Sequence, residues 1–336
     1  MGTSASLIRR ILAGNRKTAI FALLPVCNCR CVMCDMWKQE KTFISTEDAK
    51  KVIDMLHDNQ FLAVYFTGGE PTLHPGLTEI VRYASSRGMF TSITTNGTSS
   101  RKLISDLKSS GLNLLSVSLD HWDDRICEEI RRFKEIKKRQ ESTIRHARKI
   151  GLKVYALSYL NPYLVRDGVE HMVEYVNKEL LIPLGFCYPT ESEANSYRLG
   201  GEIAGERVEV NVSKAVSSLL EMKECGRYSI ANPHQYIADS LRFGRGEAPG
   251  RYCRGGQDVV YIDWNANVYP CFLKPKLFNV LEGGKPRFLD DVACNECVIN
   301  CFREPSLLPQ ISTSPKMMLD EIRYSLKDTM KLVLAG

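Results

Sequence analysis

Three thiols stand at Cys27, Cys31 and Cys34, spaced Cys-x3-Cys-x2-Cys within Cys27-Asn28-Cys29-Arg30-Cys31-Val32-Met33-Cys34. Three thiolates from one loop suit a cubane iron–sulfur cluster that keeps one iron free of protein ligands. That open iron is the reactive one, because a substrate or cofactor can occupy it. The alternative is a structural zinc site, since Cys-x2-Cys is also a zinc spacing. Cys29, between the spaced thiols, reads as a non-ligand. A second thiol set follows at Cys253, Cys271, Cys294, Cys297 and Cys301, and a third run of interest is Thr67-Gly68-Gly69-Glu70-Pro71. Two adjacent glycines let backbone amides approach a ligand closely.

These residues need elements to hold them. Strand-like apolar runs fall at 19–26, 61–66, 90–95, 112–119, 152–159 and 182–187. Helical patterns lie between them at 45–58, 75–88, 99–110, 137–150 and 166–179. Ser45 and Ser99-Ser100 are suited to N-caps, and Gly88, Gly111 and Gly151 sit where left-handed C-caps want glycine. Repeated βα units imply parallel strands joined by crossover helices, in a doubly wound sheet or a barrel. Chemistry in a barrel gathers at the carboxyl ends of the strands. There the chain places Gly68-Gly69-Glu70, then Thr94-Thr95-Asn96-Gly97, then Ser116, Ser118 and Asp120, which alternation puts on one face. Asn96 offers a donor and an acceptor, or is simply the turn residue of Asn-Gly. Tyr159, Asn161 and Tyr188 line a pocket or pack its rim. Arg131 to Arg139 reads mostly as a solvated helical face. Cys127, Cys187 and Cys225 read as buried thiols.

The Cys27-x3-Cys31-x2-Cys34 loop after a first strand, with Gly68-Gly69-Glu70 after the second, resembles the radical S-adenosylmethionine (radical SAM) enzymes. The resemblance implies an α/β fold: a partial (β/α)6 TIM-like barrel, open on one side, with a small C-terminal cysteine-rich β-hairpin and helix domain. It also implies a SAM-binding [4Fe-4S] cluster on Cys27, Cys31 and Cys34. SAM would be held by Gly68, Gly69, Glu70, Asn96, Ser118, Asp120 and Arg131, the last as a fork-shaped partner for a carboxylate. The family often stacks an aromatic on adenine just before the third cysteine; here that position is Met33, with Trp37 as the nearby substitute. The family's Ile-Arg-Gly becomes Ile130-Arg131-Arg132. Cys253, then Val259 to Pro270 as a hairpin ending in Val-Tyr-Pro-Cys271, then Cys294-x2-Cys297, resembles the Twitch/SPASM appendage of auxiliary-cluster radical SAM enzymes. An auxiliary [4Fe-4S] cluster on Cys253, Cys271, Cys294 and Cys297 is implied, with Cys301 as the substitute for one of the last two. The usual glycine five residues before the second cysteine is Ala266. A zinc-held hairpin is the alternative.

The bulk properties agree with this reading. The chain has 336 residues, a hydrophobic share of 44% and a net charge of +6. That surplus is mild: it permits an anionic substrate and does not argue for stable nucleic-acid binding. Twelve cysteines, most of them grouped, without a signal peptide point to reduced, metal-bound thiols in a cytoplasm with little oxygen. No apolar run reaches membrane-spanning length. Residues 5–15 can form an amphipathic helix, with Leu7, Ile8, Ile11 and Leu12 on one face. It plugs the barrel's amino-terminal end, or makes peripheral contact with a membrane or lipid. The divisions are 1–18 for that helix, 19–190 for the barrel, 191–250 for linker and helices, 251–305 for the auxiliary domain and 306–336 for a final helix. Ser192 to Gly205 reads as a linker or lid. The final helix, over 314–334, would pack Met317, Met318, Ile322, Leu326, Met330 and Val333 on the barrel.

The resemblance implies reductive cleavage of SAM to a 5′-deoxyadenosyl radical, which takes a hydrogen atom from substrate. Reduced ferredoxin or flavodoxin would be the electron donor. With 18 residues before the first strand there is no peptide-recognition domain, so a small molecule or lipid is the expected substrate. A four-ligand auxiliary cluster has no open site, which favours net two-electron oxidation. A peptide-modifying (RiPP maturase) enzyme is the runner-up. A non-catalytic Fe–S carrier or metal-dependent regulator is the other class, though neither needs a Gly-Gly-Glu loop.

Overall fold

The computed structural model describes residues 9–10, 13–190, 202–203, 206–207, 212–311, 314–329 and 332. Six parallel strands run in chain order: β1 (Lys17–Ala22), β2 (Phe61–Thr67), β3 (Phe90–Thr95), β4 (Leu114–Ser118), β5 (Lys153–Tyr159) and β6 (Leu184–Cys187). Between them come α1 (Thr46–Asp58), α2 (Leu77–Ser86), α3 (Arg101–Ser109), α4 (Asp124–Arg131), α5 (Ile136–Lys149), α6 (Pro162–Asp167) and α7 (Val169–Tyr175). Each strand pairs with the next, as right-handed βα crossovers require, giving the mixed α/β arrangement of a partial barrel. Ser45 caps α1 and Ser100 caps α3 through their hydroxyls, as the sequence suggests.

Four expectations about elements change. The first strand stops at Ala22 rather than 26, because the chain turns out of the sheet to build the cysteine loop. The expected helix over 166–179 begins earlier, at Pro162 under an Asn161 cap. It breaks at Gly168 (φ 97°), and past Tyr175 it loosens into a π turn to Leu180. The basic run 131–139 is not one helical face: Arg132 (φ 50°) and Glu135 (φ 54°) separate α4 from α5, and Arg131 turns inward. The final helix expected over 314–334 is two pieces, α11 (Pro315–Tyr324) and α12 (Leu326–Thr329), preceded by α10 (Asn300–Ile311). Met317 is buried, but Met318, Ile322 and Leu326 are exposed, so the expected packing stripe does not face the core. Met330 and Val333 lie outside the described residues, as do most of the expected lid and residues 5–8 and 11–12 of the first helix. Of that first segment, Arg10 donates to the Phe61 carbonyl at the start of β2.

The C-terminal region continues the same sheet. Between β6 and the hairpin lie β7 (Glu202–Ile203), β8 (Glu206–Arg207), α8 (Ser213–Glu224) and α9 (His234–Gly244). β9 (Val259–Ile262) then pairs in parallel with β1, followed by β10 (Asn267–Tyr269) and β11 (Phe278–Asn279). The main sheet therefore has nine strands, with the hairpin joined to the first barrel strand. Ala266 adopts φ 60°, the left-handed position where glycine costs least, and Asp263 offsets this by accepting from the Asn265 and Asn267 amides. A buried aromatic and aliphatic cluster of Ile20, Ala22, Met36, Tyr261, Phe272 and Phe302 packs α10 and the hairpin on β1. Among the described residues no helix is long and apolar enough to cross a membrane.

Candidate active site

The cysteine loop is held from two sides. The Arg30 and Val32 amides donate to the carbonyls of Arg131 and Ile130, so the loop covers the C-terminus of α4. On the other side the Gly69 and Glu70 amides donate to the Leu24 and Val26 carbonyls at 2.7 and 2.8 Å. A Cβ on Gly68 would lie 2.2 Å from the Leu24 carbonyl oxygen, and one on Gly69 would lie 2.3 Å from those of Pro25 and Val26. The paired glycines thus let the second-strand loop press against the segment that delivers Cys27, while both still line the cavity.

Glu70 faces away from that cavity. Fully buried, it accepts from the Thr95 hydroxyl (2.7 Å), the Asn96 amide (2.6 Å) and both the amide and hydroxyl of Thr72. Burial raises its carboxyl above the usual range, against those four donors. It positions the Thr95-Asn96 turn. Asn96 does line the cavity: its amide donates to Asn28 at 2.8 Å and reaches the Cys29 sulfur at 3.3 Å, while its Oδ1 closes the turn with Thr98.

Ser118, Asp120 and Arg131 also line the cavity. Arg131 is paired with Asp120, Nε to Oδ2 at 2.5 Å and Nη2 to Oδ1 at 3.0 Å, and its Nη1 lies 3.9 Å from the Cys31 sulfur. Arg132, in the left-handed conformation where the resembled family has glycine, turns the chain so that Arg131 points inward. Tyr159 and Tyr188 line the same cavity. Asn161 does not; it caps α6 and donates to the Asp120 carbonyl. Met33 and Trp37 both face the cavity, and the buried Trp37 Nε1 has no hydrogen-bond partner among the described residues, a donor available to a ligand.

Cys27, Cys29, Cys31 and Cys34 all line this one cavity. Cys29 donates to the Cys31 sulfur, and with the Arg131 guanidinium this brings the Cys31 thiol down to about 7. Cys27 is also lowered, first by Cys29, whereas burial pushes Cys34 up to about 12. An all-thiol donor set with a guanidinium beside it fits a thiolate-held iron–sulfur cluster. Among the described residues no three His, Cys, Asp or Glu side chains are gathered tightly enough to hold a single metal ion.

The second thiol set divides. Cys253 and Cys294 are bridged in both directions, amide to carbonyl, at 2.8 and 3.1 Å. Cys253, Cys271, Cys294 and Cys297 surround the cluster of Phe272, Ile299 and Phe302 without entering the cavity. Cys301 packs on the same cluster and also lines the cavity, with Cys187 and Asn300. Cys187 was expected as an inert buried thiol and is a cavity wall; Cys225 was expected buried and is exposed at the end of α8; Cys127 is buried as expected. The far wall, with Phe272, Ile299 and Asn300 from the hairpin and α10, was not foreseen. The position of Asn300 and Cys301 just past the last Cys-x2-Cys was its one sequence signal.

Residues 22–176 match the family model described as the Radical SAM superfamily. Among curated proteins the chain is similar to the Fe-coproporphyrin III synthase of Methanosarcina barkeri, 34% identical over 42% of this chain and 36% of that protein. It is also similar to a probable GTP 3′,8-cyclase of Sulfolobus acidocaldarius, 30% identical over 46% of this chain and 49% of that one. The matches to these relatives thus span at most about half of their length. Among solved structures, Streptococcus suis SuiB bound to S-adenosylmethionine shares the fold, with a TM-score of 0.63 at 15% identity, over 83% of this chain and 68% of that one.

Proposed function

Because the chain is an enzyme of the radical SAM superfamily, we propose that it directs the 5′-deoxyadenosyl radical to a C–H bond of a small-molecule or lipid substrate. When bound, the family's [4Fe-4S] cluster and SAM supply that radical by one-electron reduction of SAM. Cys27, Cys31 and Cys34 would hold the cluster. Gly68, Gly69, Asn96, Ser118, Asp120 and Arg131 would hold SAM, with Glu70 fixing the Asn96 turn from behind. Trp37 and Met33 are positioned to contact the adenine. Arg30 and Lys38, exposed at 5.7 and 5.4 Å from the centre of the Trp37 ring, offer positive charge to an acidic donor of the ferredoxin or flavodoxin type.

The observation that carries the substrate reading is the cavity itself. It runs from the cysteine loop to an apolar wall of Leu157, Phe272 and Ile299, with Tyr159, Tyr188 and Asn300 as its polar groups. Such a lining excludes water and orients a largely apolar substrate by a few hydrogen bonds. Cys253, Cys271, Cys294 and Cys297 would hold an auxiliary cluster with no open position, which suits electron acceptance and net two-electron oxidation. A peptide-modifying role is the second reading, supported by the fold shared with SuiB, which has been solved bound to its precursor peptide SuiA.

The test is 5′-deoxyadenosine release by the reconstituted protein, given SAM, reductant and one of three fractions from the source organism: lipids, aqueous small molecules or peptides. Stimulation by either of the first two supports the proposal. Stimulation by peptides alone favours the second reading.

A further inference from the structure

Arg303 stands in α10, 1% exposed, between the two segments that carry Cys253 and Cys294. Its Nη1 donates to the Cys294 carbonyl (3.2 Å) and to Asn295 Oδ1 (3.0 Å). Its Nη2 donates to the carbonyl of Arg251, two residues before Cys253, and to Asp239 Oδ2 at 3.3 Å. Asp239, fully buried, is fixed in turn by the Gly250 amide and Gln235. One guanidinium therefore grips both sides of the Cys253–Cys294 bridge. Its Nε–H is buried and has no acceptor among the described residues. An unpaired N–H on a buried cation is costly unless an acceptor arrives. The Cys294 carbonyl that it binds belongs to one of the four thiol-bearing residues, which sets the guanidinium's charge beside that thiol set.

We propose that Arg303 is the positioning and tuning residue of an anionic auxiliary iron–sulfur centre, holding Cys253 and Cys294 in register and stabilising the reduced centre with its free Nε–H and its charge. The inference rests on the auxiliary-cluster reading above and deepens it. Hydrogen bonds and positive charge at a cluster's sulfurs raise its reduction potential. A raised potential is what a centre needs if it is to take an electron from a substrate radical. Asp239 offsets part of the charge.

The test is a redox titration followed by electron paramagnetic resonance on the anaerobically reconstituted full chain, with iron counted in each sample. Arg303→Met with Asp239→Asn removes the pair without leaving a bare buried carboxylate. At a fixed poise the reduced-to-oxidised ratio of the auxiliary centre should fall about tenfold, about 59 mV for one electron. The first cluster's ratio should stay unchanged. If the double variant does not retain auxiliary iron, the comparison is made on Arg303→Lys, which keeps the charge and gives up the fork; a smaller fall in the same direction is expected. An auxiliary ratio equal to wild type, in a variant that keeps its iron, overturns the proposal. A wild-type chain that builds only one cluster defeats the auxiliary-cluster reading instead.

Discussion

Arg131 and Asp120 are paired through two hydrogen bonds on the cavity wall, with Arg131 Nη1 left to face Cys31 at 3.9 Å. Asp120 leaves the end of β4 and Arg131 ends α4, so the pair ties a strand terminus, a helix terminus and the cysteine loop together. With the carboxylate occupying the guanidinium's Nε and Nη2, Nη1 is the nitrogen left to act toward the loop.

Breaking this pair should cost more than a surface ion pair would. Asp120→Ala leaves a buried guanidinium uncompensated, and about 3–5 kcal/mol of stability should be lost. Denaturant unfolding of the unloaded chain measures this; a loss below about 1 kcal/mol would mean that water or another group replaces Asp120.

Glu70→Gln should weaken SAM binding without touching SAM. One amide NH2 would oppose either the Asn96 or the Thr72 backbone amide, leaving a donor facing a donor. A loss of about 1–3 kcal/mol in stability is expected, with SAM dissociation raised by about tenfold. Equilibrium dialysis decides it; unchanged affinity would separate Glu70 from the site.

Cys301 should be dispensable for iron. It lines the cavity with Cys187, which none of Cys253, Cys271, Cys294 and Cys297 does, although it packs on the same Phe272 cluster. Cys301→Ala should keep the wild-type iron count, whereas Cys297→Ala should lose about four irons. Equal losses in the two variants would return Cys301 to the ligand set.

Glu304 should give stability a measurable pH slope. Burial pushes its carboxyl from 4.5 up to about 8, with Asn232 donating to it in the opposite sense. Between those values the folded chain binds a proton that the unfolded chain has released. Stability from this group is therefore full below pH 4.5, falls as pH rises, and is lost above pH 8. Each pH unit inside the window is worth up to about 1.4 kcal/mol. Glu304→Gln should flatten the urea midpoints between pH 5.5 and 8.5 relative to wild type; parallel curves would contradict the assignment.

The six parallel strands and the ligand loop were legible because their signals are local: apolar runs, glycine after helices, and cysteine spacing within one turn. Ala266 and Arg132 show how local the glycine signal is. Both take left-handed backbone without glycine, supported by Asp263 in one case and by the inward pull of Arg131 in the other. Long-range facts were not legible. Nothing near Val259 says that it pairs with Thr18, nor does spacing say that Cys301 reaches the cavity while Cys297 does not. Glu70 is expected from the resemblance to hold SAM, but its direction depends on where Thr95 and Asn96 arrive from another strand, and they draw it away from the cavity. The single helix over 314–334 failed because apolar spacing cannot tell a core face from an exposed one.

The central claim is most directly tested by anaerobic reconstitution of the wild type and of the Cys27/Cys31/Cys34→Ala triple variant, with iron, sulfide and 5′-deoxyadenosine measured on both. About eight irons falling to about four, with 5′-deoxyadenosine formed only by the wild type, is the expected result. A wild type that forms no 5′-deoxyadenosine under strong reductant, or a triple variant that still forms it, would contradict the account.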